Sequence, residues 1–121
     1  DTVEMMCAST EVIENKFTGN TTIGVVITNG DFGKASLCKI AGMAQDGYAR
    51  AIRPVHTSAD GDSIYAVSAG NVSEKVKADQ DLVGTLAAEV MSEAIIRAVT
   101  SAESAYGFPA YRELKARENK R

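Results

Sequence analysis

The apolar positions of the chain form two short strand-like runs and two long helical stripes. An almost continuous β-branched run predicts a strand over residues 22–28 that is buried on both faces. A second run predicts a strand over residues 63–69. Apolar residues at three- and four-residue spacings predict helices over residues 34–52 and 82–102, and the wider apolar face of the second predicts that it is substantially covered. This strand, helix, strand, helix order predicts an α/β unit whose strands need further sheet neighbours.

Prolines, acidic residues and glycines refine these elements. Pro54 ends the first helix by position 53, because the residue before a proline is pushed out of helical geometry. Asp79 and Asp81 are both candidate caps of the second helix. Gly42 and Gly47 each cost the first helix about 1 kcal/mol relative to alanine, which we interpret as a sign of close contact with the sheet.

Both ends of the chain differ from this periodic middle. Residues 1–18 mix apolar and polar side chains without a convincing period and are predicted to be a linker. Residues 112–121 combine five basic with two acidic residues, which predicts a solvated helix or a frayed end. The chain starts with Asp1 rather than Met, and we expect it to be the carboxy-terminal piece of a longer protein.

Composition narrows the classes of partner. The 121 residues carry a net charge of −3, spread along the chain, which gives no electrostatic footprint for nucleic acid or an anionic membrane. Small or neutral partners are expected instead. Cys7 and Cys38 lack metal-ligand spacing and are predicted to be buried free thiols in a reducing compartment, so the expected location is the cytoplasm. The sequence contains neither a metal-ligand pattern nor a phosphate-loop pattern, and no cofactor is expected.

A candidate nucleophile stands just before the first strand. Thr21 follows Asn20, and its hydroxyl can attack the preceding carbonyl through a five-membered ring. Hydrolysis of the resulting ester would free an α-amine with a pKa of about 7.7–8.0, which can then act as base for the same hydroxyl. The same residues are also typical of an ordinary loop-to-strand junction. They fit a glycosylation pattern too, which we set aside because nothing marks the chain as secreted.

Candidate supporting groups precede the second strand. Asp60 and Asp62 project to the same face if the strand already begins at residue 60. Such carboxylates can hydrogen-bond a threonine hydroxyl or an α-ammonium group, whereas the alternative is a turn that caps itself. His56 is the only histidine, and we assign it a structural role because an amino-terminal nucleophile needs no histidine.

Three motifs, in order, resemble one known family: Asn-Thr-Thr-Ile-Gly-Val-Val at 20–26, Ala-Arg-Ala-Ile-Arg-Pro-Val-His-Thr at 49–57 and Asp-Gly-Asp-Ser-Ile-Tyr-Ala-Val at 60–67. The chain resembles the small-subunit half of the L-aminopeptidase/D-esterase family of amino-terminal-nucleophile hydrolases. That family also contains β-peptidyl aminopeptidases and a nylon-oligomer hydrolase. The resemblance extends from about residue 19 to about residue 107.

The resemblance implies a layered α-β-β-α sandwich and a peptide or amide hydrolase, most typically an aminopeptidase. It implies self-cleavage between Asn20 and Thr21, with Thr21 as nucleophile and Asp60 and Asp62 as catalytic supporting groups. Other branches of the family carry serine at the position of Asp60. The implied partners are an upstream large subunit of the same precursor, which supplies the oxyanion and pocket residues, further copies of this pair, and a peptide or small amide substrate.

On this basis residues 1–20 are the end of the upstream subunit, residues 21–110 the nucleophile-bearing domain and residues 111–121 a charged tail. Two alternatives remain open from the sequence. One is an acyltransferase of the ornithine acetyltransferase type, whose junction motif differs from residues 20–28. The other is an unprocessed structural or regulatory subunit in which Asn20 and Thr21 stay joined.

Overall fold

The structure is a computed structural model that describes residues 2–9 and 21–119. The predicted order of strand, helix, strand and helix is confirmed, and the chain is a mixed α/β protein with a small parallel sheet. Its elements are α1 (Thr2–Ala8), β1 (Ile23–Thr28), α2 (Lys34–Ala51), β2 (Ser63–Ser68), a 3₁₀ turn (Val72–Glu74), α3 (Gln80–Ser101) and α4 (Tyr111–Glu118).

The two strands are parallel neighbours. Ile23 lies opposite Ser63, and the register continues to Thr28 opposite Ser68. Parallel pairing follows from α2, which crosses over between the strands and returns the chain to the same end of the sheet. The residues that precede β1 and those that precede β2 therefore lie side by side.

Only one face of the sheet is covered by the described residues. Val26, Ile64 and Ala66 pack against a core of α2 and α3 side chains that includes Ile40 and Ala44. The opposite face carries large apolar side chains that are 46–72% exposed, namely Ile23, Val25, Ile27, Tyr65 and Val67. The prediction that β1 is buried on both faces is therefore wrong for this part of the chain. The second apolar row is present, but no described element lies over it.

Small residues bring α2 and α3 close together. A Cβ atom built on Gly47 would collide with the carbonyl oxygen of Ala88 and lie 2.8 Å from the Cβ of Met91, both on α3. Gly84 on α3 contacts Met43 on α2 in the same way. The interpretation that the α2 glycines contact the sheet is wrong: Gly47 packs against α3, and a Cβ on Gly42 would meet nothing within 4 Å.

The helix α3 is less covered than its apolar face predicts. Asp79 is its cap, because its Oδ1 accepts a hydrogen bond of 2.8 Å from the Leu82 amide. Only the stripe of Gly84, Ala87, Ala88 and Met91 is buried. Five large apolar side chains on the helix remain 50–63% exposed, namely Leu82, Leu86, Val90, Ile96 and Val99. Apolar grooves of about 480 and 710 Å³ lie between β1 and α3.

The ends of the chain contain more helix than the sequence predicts. Thr2–Ala8 is helical, although the sequence shows no convincing period there, and residues 10–18 lie outside the described part. Cys7 in this helix and Cys38 in α2 are free but exposed, so the prediction that they are buried is wrong. The tail forms α4, with an ion pair between Glu113 and Arg117 one turn apart. Among the described residues, no helix has the length and apolar character needed to cross a membrane.

Gly47→Ala and Gly42→Ala test the close approach of the helices. Both replacements remove a glycine from the interior of α2, but only Gly47 faces atoms that its new Cβ would hit. We expect Gly47→Ala to lower the free energy of unfolding by about 1–3 kcal/mol through overpacking. Gly42→Ala should raise it by about 0.5–1 kcal/mol through helix propensity alone. Urea unfolding followed by circular dichroism measures both, and equal effects of the two changes would contradict the packing described here.

Candidate active site

Thr21 lies at the amino end of β1, on the rim of a small recess. The side chain is exposed and lines a cavity of about 280 Å³ together with Asp60 and Asp62. A Cβ atom built on Gly61 would lie only 2.8 Å from the Thr21 Oγ1. The glycine between the two aspartates is therefore what allows the Thr21 hydroxyl to approach the loop before β2. Asn20, the other predicted junction residue, lies outside the described residues.

Asp62 fixes the residue that follows Thr21. Its Oδ1 accepts a hydrogen bond of 3.0 Å from the Thr22 amide, across 40 positions of sequence. The Asp62 side chain is only 6% exposed, so this carboxylate acts in a poorly solvated environment. The carbonyl oxygen of Thr22 in turn accepts a hydrogen bond of 2.9 Å from the Ser63 amide. Thr22 is thus held at both its amide and its carbonyl, which restricts where Thr21 can lie.

Tyr48 ties the starts of the two strands to α2. Its side chain is completely buried, and its hydroxyl lies 3.3 Å from the Thr22 carbonyl oxygen and 3.1 Å from the Ser63 carbonyl oxygen. Gly24 leaves room for this hydroxyl, since a Cβ there would lie 2.7 Å from it. Burial, and after it the nearby charge of Asp62, raise the pKa of Tyr48. The hydroxyl therefore stays protonated as a donor at neutral pH.

The sequence places Tyr48 only in the apolar stripe of the helix. The one signal in the sequence that could have indicated its role is a tyrosine on a buried helix face, because a buried tyrosine needs a hydrogen-bond partner for its hydroxyl. Gly24 is tightly packed, because a Cβ there would meet both the Tyr48 hydroxyl and the Met91 side chain.

Asp60 makes a different set of contacts. Its Oδ2 accepts hydrogen bonds from the Thr57 amide at 2.7 Å and from the Thr57 hydroxyl at 2.6 Å. Its own amide donates to the Thr57 carbonyl oxygen at 3.0 Å. These bonds, with the hydroxyl contributing most, lower the pKa of Asp60. Asp60 closes the turn before β2, so the self-capping alternative describes Asp60 while the neighbouring Asp62 reaches Thr22.

His56 contacts the same carboxylate that holds Thr22. Its Nδ1 lies 3.1 Å from the Asp62 Oδ2. The imidazole ring also stacks on the ring of Tyr48, with centroids 6.0 Å apart and planes at 24°. The sequence assigns His56 a structural role and gives no signal of this contact beyond the presence of a histidine near two acidic residues.

These contacts suit a reaction centred on Thr21. An exposed hydroxyl stands in a recess, the amide of the next residue, Thr22, is held by Asp62, and the Asp62 carboxylate is nearly buried beside them. Such a charge favours a cationic neighbour. No hydrogen bond joins Thr21 directly to either aspartate in the described part of the chain. Within the same part, no three His, Cys, Asp or Glu side chains cluster in a way that could hold a metal ion.

Comparison with known proteins gives a consistent set of matches. The family model of peptidase family S58 matches residues 2–112. An uncharacterized aminopeptidase of Mycobacterium leprae is 40% identical in an alignment that covers 76% of this chain and 28% of that protein. A 6-aminohexanoate-oligomer endohydrolase of Paenarthrobacter ureafaciens is 30% identical, with coverage of 66% and 25% respectively.

A second uncharacterized aminopeptidase, from Mycobacterium tuberculosis, is 35% identical over 78% of this chain and 31% of that protein. The chain therefore spans between 25% and 31% of the length of these curated relatives. No solved structure matches it.

Thr57→Val tests the cause of the lowered Asp60 pKa. The change removes the hydroxyl donor but keeps the Thr57 amide, so we expect the Asp60 pKa to rise toward its ordinary value of 3.8. Because folding lowers this pKa, the group stabilises the fold above its ordinary pKa, and that contribution is lost as pH falls through the lowered value. The variant should lose less stability in this acid range. Carbon NMR of the Asp60 carboxyl measures the pKa, and Ser58→Ala, which removes a neighbouring exposed hydroxyl, should leave it unchanged.

Proposed function

We propose that this chain, which belongs to peptidase family S58, is the nucleophile-bearing part of a self-processing amide hydrolase. This membership confirms the resemblance carried by the three sequence motifs. The relatives' names, aminopeptidase and oligomer endohydrolase, support hydrolysis of amide bonds. The aminopeptidases share more identity with the chain, 40% against 30%, and we therefore favour an aminopeptidase.

The observation that carries the proposal is the placement of Thr21, exposed in a recess immediately before a residue whose amide is held by Asp62. In the proposed maturation, the Thr21 oxygen attacks the carbonyl carbon of Asn20. The C–N bond breaks, the nitrogen takes up the hydroxyl proton, and an ester joins Asn20 to Thr21. Water then hydrolyses this ester, which releases the Asn20 carboxylate and leaves Thr21 with a free α-amine and a free hydroxyl.

The new α-amine is the proposed base of the catalytic cycle. With a pKa of about 7.7–8.0, a useful fraction is neutral near pH 7 and can take the proton of the Thr21 hydroxyl. The oxygen then attacks the substrate carbonyl and forms an acyl-enzyme, while the leaving amine receives the proton. Water attacks the ester, and its hydrolysis restores Thr21. No metal or cofactor is required.

The two aspartates have separate proposed roles. The Asp62 charge stabilises the amine of Thr21 after it has taken up the hydroxyl proton during attack, and its bond to the Thr22 amide keeps the nucleophile in the recess. Asp60 supports the site through the loop: it closes the turn on Thr57 and lines the recess. Gly61 keeps that loop clear of the Thr21 hydroxyl.

The exposed apolar surfaces support the proposed architecture and partner. The open sheet face and the grooves beside α3 are what a second layer would cover in an α-β-β-α sandwich. We propose that the upstream large subunit of the same precursor supplies this layer, together with the oxyanion and pocket residues. The relatives, three to four times longer than the aligned part, have room for it. We also propose that such pairs of subunits form homo-oligomers in the cytoplasm. In this proposal residues 1–20 are the end of the upstream subunit, residues 21–110 are the nucleophile-bearing domain and residues 111–121 are the tail.

Replacing Thr21 tests the nucleophile. Thr21→Val keeps the shape of the side chain but removes the oxygen, so we expect neither cleavage after Asn20 nor hydrolysis of an aminoacyl anilide. Thr21→Ser keeps the oxygen and should be cut and active at a reduced rate. Thr85→Val removes an exposed hydroxyl on α3 and is the control. Denaturing gels and release of the aniline measure the two activities in the complete precursor, and cleavage of Thr21→Val would contradict the mechanism.

Comparing Asp62→Asn with Asp60→Asn separates the two carboxylates. Asp62→Asn removes the buried charge near Thr21, and we expect kcat to fall about 10- to 100-fold. This range corresponds to one charge-assisted hydrogen bond of about 1.5–3 kcal/mol. Asp60→Asn should reduce kcat less, because its bonds go to Thr57 rather than to Thr22. Steady-state kinetics on the processed enzyme measure both, and a larger effect at Asp60 would reverse the assignment.

A further inference from the structure

The Asp62 carboxylate has one oxygen that the mechanism above leaves unused. Oδ1 accepts a hydrogen bond from the Thr22 amide, whereas Oδ2 is buried and makes no hydrogen bond with the described residues, although the Nδ1 of His56 lies 3.1 Å from it. A buried carboxylate oxygen without a donor costs free energy, and a carboxyl group rotates readily about its last bond when only one oxygen is held. If the ring proton is on Nδ1 and the ring turns so that this N–H points at Oδ2, His56 can donate to Oδ2 and hold the carboxylate in one orientation.

The His56 side chain is partly exposed, and its backbone conformation and ring contact place it beside Asp62. The residue has φ of 57°, in the left-handed region that side chains with a Cβ rarely adopt. This backbone turns the imidazole toward Asp62, and the ring stacks on Tyr48. The Tyr48 hydroxyl in turn lies within hydrogen-bond distance of the carbonyl oxygens of Thr22 and Ser63. The ring of His56 therefore contacts Tyr48, whose hydroxyl contacts the backbone of Thr22, the residue whose amide binds Asp62.

We propose that His56 is a positioning residue for the reactions at Thr21. It acts through Asp62: by holding Oδ2, it directs Oδ1 to the Thr22 amide and so keeps Thr21 in the recess. The inference rests on the proposed function and adds to it a residue that touches neither the nucleophile nor the substrate. In the described part of the chain, the titratable groups that face His56 are Asp62 and Asp60 from the loop before β2 and Tyr48 from α2.

Loss of the His56 donor should affect turnover rather than binding. With Oδ2 unpaired, the carboxylate samples other orientations, and the Thr22 amide and Thr21 are less well placed. We expect kcat and the rate of self-cleavage to fall about tenfold, the effect of one charge-assisted hydrogen bond at the low end of its range. KM should stay unchanged because His56 does not line the recess beside Thr21.

Two substitutions separate the donor from the backbone and the ring. His56→Asn and His56→Gly both accommodate a left-handed backbone, and both remove the ring that stacks on Tyr48. Only asparagine offers an N–H in place of the Nδ1–H. In the complete precursor, His56→Gly should show the tenfold loss, and His56→Asn should restore most of it. Equal losses in the two variants, or no loss in either, would overturn the proposal.

A second pair covers the case in which His56→Gly does not fold, which thermal unfolding will reveal. His56→Asp has the same size as His56→Asn but brings a negative charge and no donor to Asp62. It should be at least as impaired as the glycine variant, and activity equal to that of the asparagine variant would also overturn the proposal.

Hydrogen exchange of the Thr22 amide distinguishes this proposal from the proposed function. The amide should exchange faster in His56→Gly than in wild type or His56→Asn, whether or not the chain is cut. A wild-type precursor that is never cut, with this pattern of exchange, overturns the hydrolase and supports the ordering of Asp62 by His56. A cut and active wild type, with equal exchange and kcat in all variants, overturns the role of His56 alone.

Discussion

The hydrogen bond from the Thr22 amide to the Asp62 carboxylate is the contact on which the site depends. It joins the two residues that immediately precede β1 and β2, 40 positions apart in sequence, and it exists because α2 returns the chain to the same end of a parallel sheet. Asp62 is nearly buried, so its charge requires partners on both oxygens. The Thr22 amide binds Oδ1, and the Nδ1 of His56, the proposed donor to Oδ2, lies 3.1 Å from that oxygen. The recess beside Thr21 is a consequence of this arrangement.

Secondary structure was the most predictable part of the fold, and burial the least. The spacing of apolar residues predicted both strands and both long helices, because period depends on local geometry. The same apolar residues led to wrong expectations about burial. A row of apolar side chains shows that a surface can be buried, but it does not show which polypeptide covers that surface. The exposed row of β1 and the exposed side chains of α3 are surfaces of this kind: they are apolar, but none of the described residues covers them. The helix Thr2–Ala8 was missed because seven residues are too few to show a period.

The candidate site was predictable only where residues are close in sequence or belong to a family motif. Thr21, Asp60 and Asp62 came from the order of motifs, and the structure brings all three to one recess. It also separates the aspartates, since Asp60 closes a local turn with Thr57 while Asp62 bridges to β1. Tyr48 and His56 could not have been assigned from sequence. Their contacts depend on the packing of α2 beneath the strand ends and on a left-handed backbone at His56.

The most direct test of the central claim is amino-terminal sequencing, with intact mass, of the protein purified from its complete precursor. The account predicts a polypeptide that begins Thr21-Thr22-Ile23-Gly24, with an upstream fragment that ends at Asn20. A single chain in which Asn20 and Thr21 remain joined, isolated from a preparation that hydrolyses amides at full rate, would contradict it. In that case the nucleophile would lie elsewhere, and the contacts around Thr22 would be structural.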